Sequence, residues 1–292
     1  MSLPAPADVA ELVRLPAVLS VPGDVLVGAA VSGQVRNLPR TAGMIGASSC
    51  LYLAGMALND YADREVDAVE RPGRPIPSVR VSAGFALGLA GALTVGAAVL
   101  SVAADGPRAL AVTAPLAAAV WGYDLALKGK PPVASASMSA CRGLDVMMGA
   151  GAHGAASAVP AAAVVAAHIA VVTEVSRREV TGGDAGVPKR ALAATVGVAA
   201  AGALLSRRAP RVGRAAALGL VGAYAAVVGR AHADAVADPS PARMQRAVGA
   251  GILGLIPLEA GLLAGSGAIV PAAGVATLWP LARKAAKKRA VT

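Results

Sequence analysis

Apolar runs long enough to cross a bilayer recur along the whole 292-residue chain, and short charged or Pro/Gly-containing connectors separate them. A helix needs about 20 apolar residues to cross the hydrocarbon core, and its backbone must satisfy its own hydrogen bonds in lipid. We therefore expect an all-α, polytopic membrane protein that forms a single transmembrane domain over residues 1–292. The pattern predicts ten helices, at 15–33, 41–58, 82–103, 108–126, 133–152, 158–175, 189–206, 212–230, 246–265 and a shorter one at 267–282.

The composition agrees with a membrane protein and argues against a nucleic-acid-binding one. Hydrophobic residues make up 56% of the chain and charged residues only 15%, which a soluble domain of this length does not show. The net charge of +10 is spread over membrane-flanking loops, and aromatic residues for base stacking are only 2%. Leaving out the C-terminal tail, the face with the loops after helices two, four, six and eight carries fourteen basic residues and the opposite face seven, so the positive-inside rule places the first face in the cytosol. The protein is thus expected in the cell membrane.

The most polar stretch, residues 59–74, begins where the second apolar run ends. If the helix continues for two turns, Asp60, Asp63 and Asp67 at i, i+3 and i+7 share one face. Such carboxylates suit Mg²⁺, which proteins usually bind through one or two carboxylates together with substrate phosphates. Asn59 adds a neutral oxygen ligand, and Arg71 and Arg74 can hold phosphate oxygens. The alternative is a solvated helix end with local ion pairs, such as Asp60 with Arg64.

The spacing Asn-Asp-x-x-Asp-x-x-x-Asp, followed by Arg-x-x-Arg-Pro-Ile-Pro-Ser, resembles the first signature of the UbiA superfamily of intramembrane prenyltransferases. The resemblance covers about residues 15–265. Within this superfamily, the chain also resembles the EboC-type branch. It implies nine helices around a central chamber, to which this chain adds a tenth at the C-terminus. It also implies two acidic motifs, after helices two and six, that bind a prenyl diphosphate through Mg²⁺.

The second acidic motif implied by the resemblance falls on residues 173–184, and it is incomplete. Glu179 takes the place of the middle acid, whereas Ser176 and Gly183 stand where aspartates are usual, and Asp184 comes one position late. Glu179 and Asp184 are the metal ligands expected here, with a turn at Gly182 and Gly183 returning Asp184 toward the site. Arg177, Arg178 and Lys189 are expected to contact the diphosphate. The alternative is a basic loop that orders lipid headgroups.

Four residues near helices four and five complete the expected site. Tyr123 and Lys128 resemble the Tyr and Lys that the family places after helix four, where they would meet the diphosphate. They equally fit an interfacial anchor formed with Trp121. Arg142 and Asp145 lie in an apolar run, where ionisable groups are functional candidates, and Arg142 could neutralise diphosphate or acceptor charge. The alternative is a structural pair with Asp145 at i+3.

Several other residues are expected to be structural or weaker candidates. Cys50 and Cys141 lie within apolar runs and are expected to pack. His153 and His168 lack ligand partners at metal spacing and are expected to pack or to hydrogen-bond locally. His232 is expected on a solvated loop beside Asp234. Glu259 is a weaker intramembrane candidate.

The function implied by the resemblance is transfer of a prenyl group from a prenyl diphosphate to a small, aromatic acceptor with release of diphosphate. The expected catalytic residues are Asp60, Asp63, Asp67, Lys128 and Arg142. One alternative is a terpene cyclase of UbiA type, against which the shortage of aromatic faces for guiding cations argues. The other is a non-catalytic protein of EboC type that binds or moves a lipid-like metabolite.

Overall fold

The computed structural model describes residues 3–15, 18, 21–130 and 133–289, and every regular element within these ranges is a helix. The segments in chain order are α1 Pro6–Leu12, α2 Pro22–Val31, α3 Leu38–Ala62, α4 Arg64–Glu70, α5 Ala83–Asp105, α6 Leu110–Gly122, α7 Val133–Ser176, α8 Gly186–Leu205, α9 Arg211–Ala237, α10 Pro241–Gly265 and α11 Ile269–Arg289. A π-helical turn, Tyr123–Leu127, extends α6.

The helices confirm a polytopic all-α membrane protein. Within the described residues, seven helical segments are long and apolar enough to cross a membrane. The 44-residue α7 is broken at Gly151, so it supplies two legs, which correspond to the predicted helices 133–152 and 158–175. The predicted helix 15–33 is helical only over Pro22–Val31, and residues 16, 17, 19 and 20 lie outside the described ranges. The expected C-terminal helix is present as the 21-residue α11, which packs along α10.

Close contact between α2 and α7 places the short α2 inside the bundle. A Cβ on Gly28 would collide with the carbonyl oxygen of Val146, and one on Gly149 would collide with that of Val25. Glycine at both positions therefore lets the two backbones touch, as small residues do at membrane helix interfaces. The crossing brings the first turn of α2, which carries Asp24, beside the leg of α7 that carries Arg142.

A buried arginine stabilises the break in α7. Both lie at the end of the bundle opposite the acidic stretch. Gly151 has φ 73° and ψ 171°, a conformation that is essentially limited to glycine. Arg40 donates through Nε and Nη2 to Asp105 at 2.5 and 2.9 Å, and through Nη1 to the carbonyl oxygen of Gly149 at 2.9 Å. The guanidinium thus satisfies a carbonyl next to the break and ties α3, α5 and α7 together.

Substituting Gly151→Ala is expected to lower the free energy of unfolding by about 3 kcal/mol, the upper end of the cost of such a backbone conformation. The added methyl group would also collide with the Asp105 carboxylate and the Arg40 guanidinium. Thermal unfolding in detergent, followed by circular dichroism, measures the effect. Gly91→Ala in α5 is the matched control, because a Cβ there meets no atom within 4 Å. Equal unfolding temperatures for the two variants would contradict the expectation.

Candidate active site

The acidic stretch begins on the last turn of α3 and continues after a bend. The α3 helix ends at Ala62, Asp63 has φ −91° and ψ 3°, and α4 begins at Arg64. The bend corrects the prediction that Asp60, Asp63 and Asp67 share one face of a continuous helix. Asp60 and Asp67 remain together and are buried, whereas Asp63 points to a different partner.

Arg74 holds Asp60 and Asp67 together. Its Nη1 lies 3.2 Å from Asp60 Oδ1 and 2.5 Å from Asp67 Oδ2, so one cationic nitrogen is shared by both carboxylates. Arg14 adds a second contact to Asp60, at 2.8 Å, and Arg71 Nη1 lies 3.7 Å from Asp67 Oδ1. Two of the predicted acids and both predicted arginines therefore lie in one cluster.

Asp63 pairs with Lys128, whose Nζ lies 2.6 Å from Asp63 Oδ1. The contact joins the first acidic motif to the end of the π-helical turn and brings the predicted lysine to the mouth of the site. The alternative pairing of Asp60 with Arg64 is not observed. Arg64 instead lies 3.2 Å from Glu65 and donates to the carbonyl oxygen of Tyr61.

The N-terminal helix α1 covers the loop that follows the acidic stretch. Arg80 Nη1 donates to Asp8 Oδ1 at 2.5 Å and to Glu11 Oε2 at 2.7 Å. The hydrogen bonds with Arg80 lower the pKa of Glu11 and raise that of Arg80. Arg14, just after α1, has a positive φ of 48°, and its side chain reaches Asp60 and the Met56 sulfur. The α1 segment therefore contributes a cation to the site.

A cavity of about 280 Å³ extends from the acidic cluster into the bundle. Its wall is formed by α3, α6 with its π-helical turn, and the first leg of α7, and most of the lining is apolar. Polar groups lie at its two ends. Arg14, Asn59, Tyr123 and Asp124 line the mouth, and Ser48, Arg142 and Asp145 line the inner end, with Cys141 on the wall. An apolar chain can thus extend inward from a polar headgroup at the mouth.

The inner end of the cavity is backed by a buried ionic group. Arg142 Nη2 lies 2.7 Å from Asp24 Oδ2 on α2 and 3.7 Å from Glu259 Oε1 on α10. Asp145 instead accepts a hydrogen bond from Ser48 Oγ at 2.6 Å. The side chains of Asp24 and Glu259 are 0% and 2% exposed, so Arg142 is their local counter-ion. The predicted alternative, an Arg142–Asp145 pair, is not the pairing observed.

The second acidic motif lies in the turn between α7 and α8. Asp184 Oδ1 accepts a hydrogen bond from the backbone N–H of Gly186 at 2.5 Å, at the start of α8. Gly182 has φ 65° and packs against Pro241, and the N–H of Gly183 donates to Pro239 at 3.3 Å. The turn therefore docks on the α9–α10 connection. Glu179 is half-buried, and Arg177, Arg178 and Lys189 are exposed. Within the described residues, no hydrogen bond or ion pair links this turn to Asp60 or Asp67.

The donors of the first motif fit Mg²⁺, although the described residues contain no group of three or more His, Cys, Asp and Glu side chains placed to hold a metal. Mg²⁺ usually needs only one or two carboxylates, because waters and substrate phosphates complete its shell. Asp60 and Asp67 supply two carboxylates. Arg74 Nη1 contacts both of them, so this pair of carboxylates already shares one positive charge.

Sequence reasoning missed several polar residues of the site. Arg14 and Asp24 fall in or beside the first apolar run, and Asp124 sits at the end of the fourth, where an ionisable group is itself a signal of function. His232 was placed wrongly, because it is buried within α9 and lies 3.1 Å from Thr195 Oγ1. His168, as expected, hydrogen-bonds locally, to Tyr224 and to the carbonyl oxygen of Gly251.

Comparisons with known proteins agree with this architecture. The model of the UbiA prenyltransferase family matches residues 24–231. The digeranylgeranylglyceryl phosphate synthase of Halobacterium salinarum is 33% identical over 189 residues, which are 64% of this chain and 68% of that protein. The enzyme of the same name from Ignicoccus hospitalis is 40% identical over 120 residues, 40% of this chain and 38% of that protein.

Two solved structures share the fold. One, from a study of digeranylgeranylglyceryl phosphate synthase in membranes, has a TM-score of 0.69 and 16% identity and covers 89% of this chain and 98% of its own. The other, an apo UbiA homolog from Aeropyrum pernix K1, has a TM-score of 0.60 and 21% identity and covers 85% and 97%. These structures show a shared fold, and the family match together with the relatives shows that the chain belongs to the UbiA prenyltransferase family and is a multi-pass membrane prenyltransferase.

Proposed function

We propose that the protein transfers a prenyl group from a prenyl diphosphate to a small acceptor in a reaction that requires Mg²⁺. The observation that carries the proposal is the pair of carboxylates, Asp60 and Asp67, that share one cationic nitrogen at the mouth of an apolar cavity. The pair suits a metal-bound diphosphate, and the cavity suits the apolar tail.

The cations around the acidic pair have a role in this reaction. As the bond between the prenyl carbon and the diphosphate oxygen breaks, negative charge grows on the departing diphosphate, and fixed positive groups stabilise it. Bound Mg²⁺, held by Asp60 and Asp67 with Asn59 and Asp63 nearby, would supply Lewis-acid stabilisation of that charge. Arg71, Arg74 and Lys128 then bind phosphate oxygens, with Tyr123 at the same mouth.

The turn between α7 and α8 is proposed to supply further phosphate-binding and metal-binding residues. Arg177, Arg178 and Lys189 are exposed on this turn or at the start of α8, where they can meet phosphate oxygens. Glu179 and Asp184 remain the proposed second pair of metal ligands. The Asp184 carboxylate must release the Gly186 N–H to serve in that way.

The acceptor is proposed from chemistry and from the relatives. The relatives are named for making digeranylgeranylglyceryl phosphate, so a prenylated glyceryl phosphate with a free hydroxyl is the first acceptor to test. A small aromatic acceptor, as the sequence predicts, is the second. The relatives favour transfer over the cyclase and the non-catalytic alternatives, because the product in their name carries prenyl groups on a glyceryl phosphate.

The proposed setting is the cell membrane, with the acidic site on the cytosolic face. Fourteen Lys and Arg residues lie on the connectors and helix ends of the site face, whereas seven lie on the opposite face. Positive residues retained on the cytosolic side orient membrane proteins in this way. Attaching a cysteine-reactive, membrane-impermeant label to Ser78→Cys tests the orientation.

Purified protein in detergent, given labelled prenyl diphosphates of several lengths, tests the proposed reaction. Each prenyl diphosphate is supplied with each acceptor, with Mg²⁺ and with a chelator. We expect a prenylated acceptor and an equal amount of diphosphate, both lost in the chelator. A prenyl hydrocarbon formed without acceptor would indicate a cyclase. Tight, Mg²⁺-dependent binding without diphosphate release would indicate a binding protein.

A further inference from the structure

We propose that Asp124 is the base that takes the proton from the acceptor as the new bond to the prenyl carbon forms. This role deepens the proposed transfer reaction and rests on it.

Asp124 lies at the inner edge of the cavity mouth, deeper than the headgroup site. It lines the cavity, and a Cβ placed on Gly55 would lie 3.8 Å from its Oδ2. Gly55 is four residues before Asn59 on α3, so the carboxylate sits about 6 Å, roughly one helical turn, deeper than the start of the acidic motif. The first carbon of a prenyl group whose diphosphate is held at Asp60 and Asp67 would lie at this depth.

The other carboxylates around the cavity already have partners. Asp60 and Asp67 are held by arginines, and Asp63 by Lys128. Asp145, at the inner end, accepts a hydrogen bond from the Ser48 hydroxyl. Within the described part of the chain, no ion pair or side-chain hydrogen bond engages the carboxylate of Asp124. Its oxygens therefore remain available to a molecule in the cavity.

The local backbone directs the side chain into the cavity. Asp124 belongs to the π-helical turn Tyr123–Leu127, and such turns inside helices occur frequently at functional sites. Tyr123 and Asp124 both reach the cavity from this turn, while Lys128 at its end reaches Asp63. Gly55 leaves the facing wall of α3 free of a side chain, which keeps space open in front of the carboxylate.

In the proposed transfer, the prenyl diphosphate, the acceptor hydroxyl and Asp124 account for every bond broken and formed. The bond from the prenyl carbon to the diphosphate oxygen breaks, and diphosphate leaves with the electron pair. A lone pair of the acceptor hydroxyl forms the new bond to that carbon, and the hydroxyl proton passes to a carboxylate oxygen of Asp124. A positioned base of this kind contributes about 10²-fold to 10⁴-fold to a rate. The protonated carboxyl then releases the proton through the mouth of the cavity.

Asp124→Asn tests the role, because it keeps the shape of the side chain and removes its basicity. We expect transfer to a hydroxyl acceptor to fall by about 10²-fold. The affinity for prenyl diphosphate, measured without acceptor, is expected to stay at the wild-type level, and more of the prenyl group is expected to be released as the alcohol. A phenol acceptor carrying ring substituents that leave it ionised at the assay pH is expected to restore transfer, since it has no proton to lose.

Two further variants complete the test. Asp124→Glu, which keeps a carboxylate, is expected to retain more transfer than the asparagine variant, and it keeps the proposal testable if that variant does not fold. Asp238→Asn, on the exposed α9–α10 connection, is the matched control and is expected to behave as wild type. Unchanged transfer in Asp124→Asn, or a loss that follows a weakened affinity for prenyl diphosphate, would overturn the role. Absence of transfer in the wild type would instead refute the proposed function.

Discussion

Replacing Arg142 by methionine is expected to lower the free energy of unfolding by about 3–5 kcal/mol, the cost of removing one partner from a buried ionic group. The guanidinium contacts Asp24 at 2.7 Å and Glu259 at 3.7 Å, and both carboxylates are almost fully buried. Without it, their charge has no counter-ion in a low-dielectric interior. Thermal unfolding in detergent, followed by circular dichroism, measures the loss.

A combined variant separates the charge effect from packing and catalysis. Arg142→Met with Asp24→Asn and Glu259→Gln removes the whole ionic group, and we expect it to regain most of the lost stability, because a neutral replacement of a buried pair is often tolerated. Arg246→Met, at an exposed position, is the control for removing an arginine. If Arg142→Met alone unfolds like wild type, the ionic group does not stabilise the bundle. If the stable combined variant retains transfer, Arg142 is not a catalytic residue.

Substituting Asp67→Asn is expected to reduce turnover roughly 10³-fold, which corresponds to a loss of several kcal/mol of stabilisation from the metal and its ligands. Asp67 is buried and lies 2.5 Å from Arg74 Nη1, so the change removes one of the two carboxylates that share this nitrogen. The rate of diphosphate release at saturating prenyl diphosphate measures the effect, and raising Mg²⁺ is expected to recover part of it.

The fold of the Asp67→Asn variant should survive, because Arg74 keeps its contact with Asp60 at 3.2 Å. Asp234→Asn, an exposed carboxylate 3.7 Å from Arg243, is the matched control for the same change of side chain. Wild-type turnover and wild-type dependence on Mg²⁺ in Asp67→Asn would show that this carboxylate does not hold the metal.

Much of the architecture was predictable because a local apolar run in the sequence predicts each membrane helix. The grouping of site residues that are close in sequence was also predictable. Asp60, Asp67, Arg71 and Arg74 were expected together and lie together. The position of Asp63 was not predictable from periodicity, because α3 ends one residue before it and the chain bends. A change in backbone direction of this kind leaves no period in the sequence.

The partners of the intramembrane charges could not be read from the sequence, because they lie on helices far apart in the chain. Arg142 meets Asp24 and Glu259 from α2 and α10, at sequence separations that no local rule covers. The close α2–α7 crossing that makes the first contact depends on Gly28 and Gly149 meeting opposite carbonyl groups. His232 was predicted on a loop because the apolar run ends at residue 230, whereas α9 continues seven residues further and contains it.

The cations around the acidic motif have a consequence for how a substrate would bind. Arg14, Arg74 and Lys128 neutralise Asp60, Asp67 and Asp63 within the protein itself. A metal-bound diphosphate would therefore bind by exchange: Arg14, Arg74 and Lys128 would leave the carboxylates free to hold a divalent ion and would contact the phosphate oxygens instead. Each charge would have a neighbour of opposite sign before and after binding, so a highly charged headgroup could be admitted beside lipid without leaving an unpaired charge.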